Sequence, residues 1–166
     1  TGPVLIRDGM FMDGMLYASV AHNLAHGIGT FWFPQFSIHN VAGLPSFHEQ
    51  PPLVFGIQSV FFKLFGDSLY VERFYIFIMM LLHFALIREL WKTIFTEEKD
   101  RSVSWLPNLL WITIPVCFWS FSNNMHENTM SVFILTSVLF MYKAIINEKK
   151  SNLRLIIAGL FIFLAV

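Results

Sequence analysis

The sequence predicts an all-α fold: a polytopic transmembrane helical bundle with an exterior loop that contains short amphipathic surface helices. Of the 166 residues, 55% are hydrophobic and 13% are charged, and the mean hydropathy is +0.59, which is more apolar than an ordinary soluble domain. Long apolar runs alternate with short polar segments over the second half of the chain. No basic stripe is present, which argues against a nucleic-acid partner.

Residues 1–67 are predicted to form the exterior loop, and its first surface helix covers about 13–26. Apolar and polar side chains separate there onto two faces with helical period. Asp13 suits a position at or near the N-cap, and Gly27 suits the position after the last turn. The apolar face carries Tyr17, Val20, Ala21 and Leu24, and the polar face carries Ser19, His22, Asn23 and His26.

The second surface helix is predicted at about 53–65, with Pro52 in its first turn and Gly66 after its end. Its polar stripe consists of Gln58, Ser59 and Lys63. The segment between the two helices has no period, so we expect an ordered loop. Its aromatic residues are expected near the membrane interface: Phe31, Trp32, Phe33 and Phe36.

Residues 68–166 are predicted to hold four transmembrane helices, at about 68–91, 103–122, 128–146 and 153–166. The last is truncated by the end of the chain, so we expect the N-terminal part of a longer polypeptide. Pro115 interrupts the second apolar run, where we expect a kink and not a break.

Basic residues are segregated, which predicts the orientation. Eight of the eleven fall in segments 88–101 and 143–154, and the positive-inside rule assigns both segments to the cytoplasm. The opposite side receives three basic residues (Arg7, Lys63, Arg73), six acidic residues (Asp8, Asp13, Glu49, Asp67, Glu72, Glu127) and five of the six histidines. An acidic, histidine-rich exterior surface suits cation binding or proton abstraction.

Several short motifs follow one another: Asp13 with Tyr17-Ala18, Phe31-Trp32-Phe33-Pro34, His48-Glu49-Gln50-Pro51-Pro52-Leu53, Leu64-Phe65-Gly66 and Arg73-Phe74. Their order resembles the N-terminal membrane region of GT-C superfamily glycosyltransferases, in particular the protein O-mannosyltransferase-like branch that includes the bacterial lipid A aminoarabinose transferases.

The resemblance implies roles for individual residues. Asp13 would be the general base that takes the proton from the acceptor hydroxyl, although Asp at a helix start could instead be only a cap. Glu49 and Glu127 would contribute to a divalent metal site, and Tyr17 and Gln50 would bind substrate. A lysine precedes Pro-Pro in the family, and Gln50 replaces it here. Gly14 likewise replaces an acidic neighbour of the loop aspartate.

Arg7 and Arg73 are the basic residues best placed to contact the donor phosphate instead of that lysine. Arg73 could alternatively pair with Glu72 or with lipid headgroups, and Arg7 could be an interfacial anchor.

The histidines allow both metal-binding and ordinary polar roles. His48 could join a metal site with Glu49 and His126, or be a hydrogen-bonded loop residue. His22 and His26 could chelate a metal as a pair or belong to a solvated face. His83 could be functional within its span or bonded to a neighbouring helix. The cofactor therefore stays open, with Zn, Mn or Mg as candidates.

The resemblance thus implies an inverting membrane glycosyltransferase that moves a hexose or pentose from a polyprenyl-phosphate carrier to an acceptor hydroxyl on a lipid or protein. The resemblance places it in a bacterial inner membrane as part of cell-envelope chemistry, with residues 1–67 on the extracytoplasmic side. The alternative is a non-enzymatic polytopic protein such as a transporter or an assembly subunit. Transporters place binding groups near the bilayer midplane, whereas here the acidic residues lie outside the predicted spans.

Overall fold

The computed structural model describes residues 11–37, 46–68, 70–146 and 151–165. Helices account for 76% of these residues, and the sheet within them is a single two-stranded hairpin. The predicted all-α fold class is therefore confirmed.

Eight helices and one hairpin follow one another in the described ranges. The first part contains α1 (Met12–Ala25), β1 (Gly29–Thr30), β2 (Phe33–Pro34) and α2 (Pro52–Phe65). The strands pair antiparallel, with Gly29 opposite Pro34 and Thr30 opposite Phe33. The remaining helices are α3 (Tyr70–Ile94), α4 (Glu98–Ser102), α5 (Leu106–Thr113), α6 (Pro115–Ser122), α7 (Glu127–Ile146) and α8 (Ser151–Leu164).

The chain divides into two compact units. The first consists of residues 1–78 together with 120–128, and the second consists of residues 79–119 together with 129–166. The first unit therefore combines the predicted exterior loop with the segment that precedes α7.

In the first unit α1 and α2 lie side by side and run in the same direction. The ring of Tyr17 contacts that of Phe55 near the two helix starts, and His22 contacts Phe62 nearer their ends. The buried core consists of Tyr17, Val20, Ala21, Phe47, Phe55, Phe62 and Val71. Asn23 departs from its predicted place on the polar face, because its side chain is buried and donates to the carbonyl of Gln35 at 2.9 Å.

The ends of α1 agree with the sequence at one terminus and differ at the other. The N-cap is Phe11, whose side chain makes no capping hydrogen bond, and Asp13 lies within the first turn. Asp13 is therefore not the cap residue. At the other end Gly27 adopts a φ of 75° just past the C-cap His26, which confirms the predicted stop.

Two of the three residues in the predicted polar stripe of α2 face the protein interior. Gln58 and Ser59 are buried, whereas Val60, Leu64 and Phe65 are 49%, 71% and 57% exposed. Buried polar groups need hydrogen-bond partners within the protein, and exposed apolar groups are favourable where the surroundings are lipid. This inverted polarity is the arrangement expected of a helix at a membrane.

Two described helices, α3 and α7, are long and apolar enough to cross a membrane. The second predicted span differs, because two eight-residue helices, α5 and α6, replace the kinked but continuous helix. Ile114 separates them in an extended conformation with a ψ of 118°. A residue that precedes proline avoids the helical region, and Pro115 has no N–H to continue the ladder, so the helix breaks there.

The second unit buries His83 on α3 with hydrogen-bond partners inside the protein. The ring of His83 donates from Nδ1 to the carbonyl of Met79 at 2.9 Å, lies 2.6 Å from the Ser131 hydroxyl through Nε2, and stacks on Trp111. The prediction of a histidine bonded to a neighbouring helix is thereby confirmed. On α8, Leu153, Ile156 and Phe163 are exposed.

Candidate functional site

Tyr17 is the centre of the polar cluster in the first unit. It lies on α1, its side chain is 5% exposed, and its ring stacks on the imidazole of His126 with centroids 4.4 Å apart. The edges of Phe47 and Phe55 complete its surroundings. Packing on three sides fixes the direction in which the hydroxyl points.

Gln50 joins Tyr17 at this hydroxyl. Its side-chain amide donates a hydrogen bond to the Tyr17 oxygen at 3.2 Å, across 33 positions of sequence. The two residues lie in different motifs, one on α1 and one in the segment before α2, and the fold brings them together.

The negative charges of three carboxylates affect the pKa of the same hydroxyl, that of Tyr17. Burial raises the pKa of Tyr17, and the negative charges of Glu127, Asp13 and Glu49 raise it further, against the opposing effect of the Gln50 hydrogen bond. Asp13 lies in the first turn of α1, Glu49 precedes α2, and Glu127 begins α7. Glu49 and Glu127 are exposed and Asp13 is half-buried, so all three carboxylates are accessible to solvent.

A buried amide network holds the segment before α7 against α1 and α2. His126 donates from Nε2 to the Gln58 side-chain oxygen at 2.9 Å, and the Gln58 amide donates to Asn124 at 3.3 Å. The Asn124 amide donates in turn to the carbonyl of Gly14 at 3.3 Å. The network thus fixes Glu127, which follows His126, relative to Asp13, which precedes Gly14.

Sequence reasoning missed most of this network. The available signals were Gln58 within an apolar helix and the pair Asn123-Asn124 just before a span. Asn124 has a φ of 53°, a left-handed conformation that asparagine tolerates better than most residues. Burial lowers the pKa of His126 to about 3, so this ring is neutral at physiological pH.

One of the two predicted phosphate-binding arginines, Arg73, lies within the described residues. Arg73 is buried at the start of α3 beside Glu72, and its guanidinium donates to the carbonyl of Ser122 at 2.7 Å. Arg7 lies outside the described residues.

The predicted metal ligands do not form a compact set in the described residues. His48 lies 2.7 Å from the Ser46 hydroxyl and against the Phe33 ring, whereas His126 is fully buried against Gln58. The contact with Ser46 agrees with the alternative of a hydrogen-bonded loop histidine, and metal binding by His48 stays a prediction. The group of metal-binding side chains that the described residues do bring together is His22, His26 and Asp67.

Comparison with known families identifies the chain. A family model described as dolichyl-phosphate-mannose-protein mannosyltransferase matches residues 49–166. The chain belongs to this family. Mannosyltransferases of this family are of the GT-C type, so the resemblance seen in the sequence is confirmed. No curated protein and no solved structure gives a match to the chain.

The mannosyltransferase match covers some of the candidate site and not the rest. Glu49, Gln50, Arg73 and Glu127 lie within the matched residues, and Asp13 and Tyr17 precede them. The Tyr17 hydroxyl is nevertheless bonded to Gln50, and its ring packs on Phe55, inside the matched region. Contact within one compact unit therefore joins α1 to the family region.

Proposed function

We propose that this mannosyltransferase-family protein transfers a sugar from a polyprenyl-phosphate carrier to an acceptor hydroxyl, with Asp13 as the general base. The acceptor oxygen attacks the anomeric carbon while the carboxylate of Asp13 takes its proton. The bond between that carbon and the phosphate oxygen breaks, and the lipid phosphate leaves with the electron pair. Attack opposite the leaving group inverts the anomeric configuration.

The observation that carries the proposal is the clustering of three carboxylates around Tyr17. Asp13 lies one helical turn before Tyr17 on α1, Glu49 precedes the Gln50 that bonds to the Tyr17 hydroxyl, and Glu127 follows the His126 that stacks on the Tyr17 ring. Carboxylates from three separate segments repel one another, and such an arrangement is retained where it serves binding or proton transfer. A base must also reach the proton that it removes. Asp13 is half-buried beside this cluster and does not cap its helix, which leaves its oxygens available to an acceptor.

The neighbouring residues would position substrate. The amide of Gln50 and the hydroxyl of Tyr17 supply polar contacts for sugar hydroxyls, and Glu49 and Glu127 would bind the acceptor or a cation. Arg73 would stabilise the departing phosphate, because a guanidinium matches phosphate oxygens in geometry and charge. Glu49 and Glu127 offer the oxygen ligands that Mg or Mn prefers, but His48 does not join them, so no step of the reaction is assigned to a metal.

The lipid carrier would approach from the membrane interface. Trp32 and Phe33 are 68% and 61% exposed on the hairpin, and Leu64 and Phe65 are exposed at the end of α2. Aromatic and aliphatic side chains of this kind favour the boundary between headgroups and acyl chains. Together with the segregation of basic residues, this supports a site on the extracytoplasmic face of the membrane. A bacterial inner membrane is what the resemblance to the aminoarabinose transferases implies.

Replacement of Asp13 tests the proposal. Membranes containing the intact protein would receive polyprenyl-phosphate mannose labelled in the sugar, and the loss of labelled donor would be followed by thin-layer chromatography, which separates it from a labelled lipid or protein product. Asp13→Asn should lower transfer by at least about 100-fold, the lower range for loss of a general base. Asp13→Glu should retain part of the activity, and the matched control Asp100→Asn on α4 should retain all of it.

Full activity of Asp13→Asn would remove this residue from the role of base. An inactive wild type with this donor would exclude mannose as the transferred sugar, and inactivity with polyprenyl-phosphate pentose as well would contradict the proposed donor class.

A further inference from the structure

Two histidines and one aspartate meet where α1 and α2 end. Nε2 of His22 and Nε2 of His26 each lie 3.3 Å from the same oxygen, Oδ1 of Asp67. The two imidazole rings are 4.4 Å apart between centroids. The three side chains are 38%, 44% and 58% exposed, so an ion from solvent can reach them.

The fold builds this group from two helices that run in the same direction. His22 and His26 are one turn apart, and four-residue spacing places both rings on one face of α1. The His22 ring packs edge-on against Phe62 of α2. Gly66 ends α2 with a φ of 82°, a left-handed conformation that only glycine adopts easily, and this turn places Asp67 beside the histidines.

The hydrogen bonding of His26 fixes which of its nitrogens faces Asp67. Nδ1 of His26 lies 3.0 Å from the backbone carbonyl of His22. A carbonyl only accepts hydrogen bonds, so Nδ1 carries a proton, and Nε2 is the nitrogen that faces the Asp67 carboxylate. A proton or a metal ion between Nε2 and the carboxylate oxygen makes this contact attractive.

A bound metal ion satisfies this geometry. Metal-binding histidines typically donate their second ring N–H to a backbone carbonyl or a carboxylate, as His26 does. Ligand atoms about 2.0–2.2 Å from a tetrahedral zinc ion are about 3.3–3.6 Å apart. Both nitrogen–oxygen distances to Asp67 agree with that separation. The carbonyl ends of two helices also favour a cation at this position.

We infer that His22, His26 and Asp67 bind a divalent transition-metal ion with the preferences of zinc, the fourth position being open to water. Two imidazoles and one carboxylate form the donor set of many three-ligand zinc sites. The ion would tie the last turn of α1 to the chain that leaves α2. This site is independent of the transfer reaction and differs from the ligand set predicted around Glu49.

Cobalt substitution tests the inference directly. The intact protein would be purified without a polyhistidine tag, stripped with a chelator and titrated with Co²⁺, whose visible absorption is strong when the ion is four-coordinate. We expect one Co²⁺ per chain, displaced by Zn²⁺. His26→Ala and Asp67→Asn should each weaken binding by more than about 100-fold, beyond the roughly 10–100-fold typical of a lost outer-shell partner.

His48→Ala is the matched control, because it removes an exposed histidine of the same unit from the alternative ligand set. Its Co²⁺ affinity should equal that of the wild type. Unchanged affinity in His26→Ala, loss of binding in His48→Ala, or no binding by the wild type would each overturn the inference, the last leaving an ion pair between imidazolium and carboxylate. Circular dichroism of each variant verifies helix content, so a folding defect is distinguished from loss of a ligand.

Discussion

The position of Asp13 at a helix start allows two roles, helix cap and general base. An aspartate at a helix start is usually a cap, and that role was open here. The cap position belongs to Phe11, and the charge of Asp13 acts on the Tyr17 hydroxyl. Its place in the first turn of α1, one turn before Tyr17, puts its carboxylate on the side of the helix that carries the Tyr17 hydroxyl.

His126 is the residue whose protonation should most affect stability. It is fully buried, stacks on Tyr17 and donates its one ring hydrogen to Gln58, while Nδ1 has no hydrogen-bond partner in the described residues. Burial lowers its pKa from 6.5 to about 3. Addition of a second proton would place an unpaired charge in the core of the first unit.

We predict that stability falls as the pH is lowered from about 6.5 toward 3. The stabilisation from the neutral ring is fully present above the pKa of the unfolded state and is lost as the pH falls through that of the folded state. The full loss is on the order of several kcal/mol. Thermal unfolding in detergent as a function of pH would measure it. His126→Gln should be less stable at neutral pH and show a flatter profile.

His48→Gln is the control, because His48 is exposed. It should reproduce the wild-type profile. A His126→Gln profile parallel to that of the wild type would contradict the assignment.

At the scale of elements, α2 and the α5–α6 break show two kinds of departure from sequence expectation. The side chains of α2 are apolar outside and polar inside because Gln58 bonds to both Asn124 and His126, which lie more than sixty residues away. The break at Ile114 is local, since Pro115 alone prevents the helical hydrogen bond and the helical conformation before it. The burial of Gln58 can be recognised only once the fold is known, whereas the break before Pro115 follows from the local sequence.

The hairpin after α1 depends on Gly29. Its φ is 79°, and an added Cβ would lie 2.7 Å from the carbonyl oxygen of Phe33 in the paired strand. Gly27 has a similar φ of 75°, but nothing lies within 4 Å of an added Cβ there. A side chain at Gly27 therefore adds backbone strain alone, whereas a side chain at Gly29 adds steric overlap as well.

We predict that Gly27→Ala lowers the free energy of unfolding by about 1–2 kcal/mol, the cost of a left-handed conformation for alanine. Gly29→Ala should lower it further, because the backbone oxygen of Phe33 can move away only if the hairpin opens. Melting temperatures of the two variants in the same detergent would compare them. Equal destabilisation would show that the strand pairing at Gly29 is looser than described.

At the scale of the whole molecule, family membership indicates the class of enzyme and charge segregation predicts its orientation in the membrane. The match over residues 49–166 identifies a glycosyltransferase family, and α3 and α7 are helices capable of spanning a bilayer. The basic residues clustered in segments 88–101 and 143–154 predict that these face the cytoplasm. The candidate site would then face the opposite side.

Cysteine labelling would test this orientation. Single cysteines introduced as Lys63→Cys and Lys99→Cys, both at exposed positions, would be placed in a Cys117→Ser background and treated with a membrane-impermeant maleimide in intact cells. We predict that Lys63→Cys reacts, and that Lys99→Cys reacts only after the membrane is opened. Labelling of Lys99→Cys alone in intact cells would reverse the topology and place the acidic cluster in the cytoplasm.

The sequence by itself determined the features that depend on neighbours along the chain. Apolar run length predicts α3 and α7, and Gly27 and Gly66 end α1 and α2 where expected, because hydropathy and backbone sterics act over a few residues. The order of short motifs was sufficient to identify the family. The same local rules did not predict that Asn23 is buried.

Only the tertiary structure decided which distant side chains meet. Tyr17 with Gln50, His126 with Gln58, and Asp67 with His22 and His26 are separated by 33, 68 and about forty positions. Local periodicity places Tyr17, His22, His26 and Gln58 on helix faces, but the packing of α1 against α2 selects their partners. The shared core around Phe55 and Phe62 sets that packing, and with it the polar cluster and the proposed metal site.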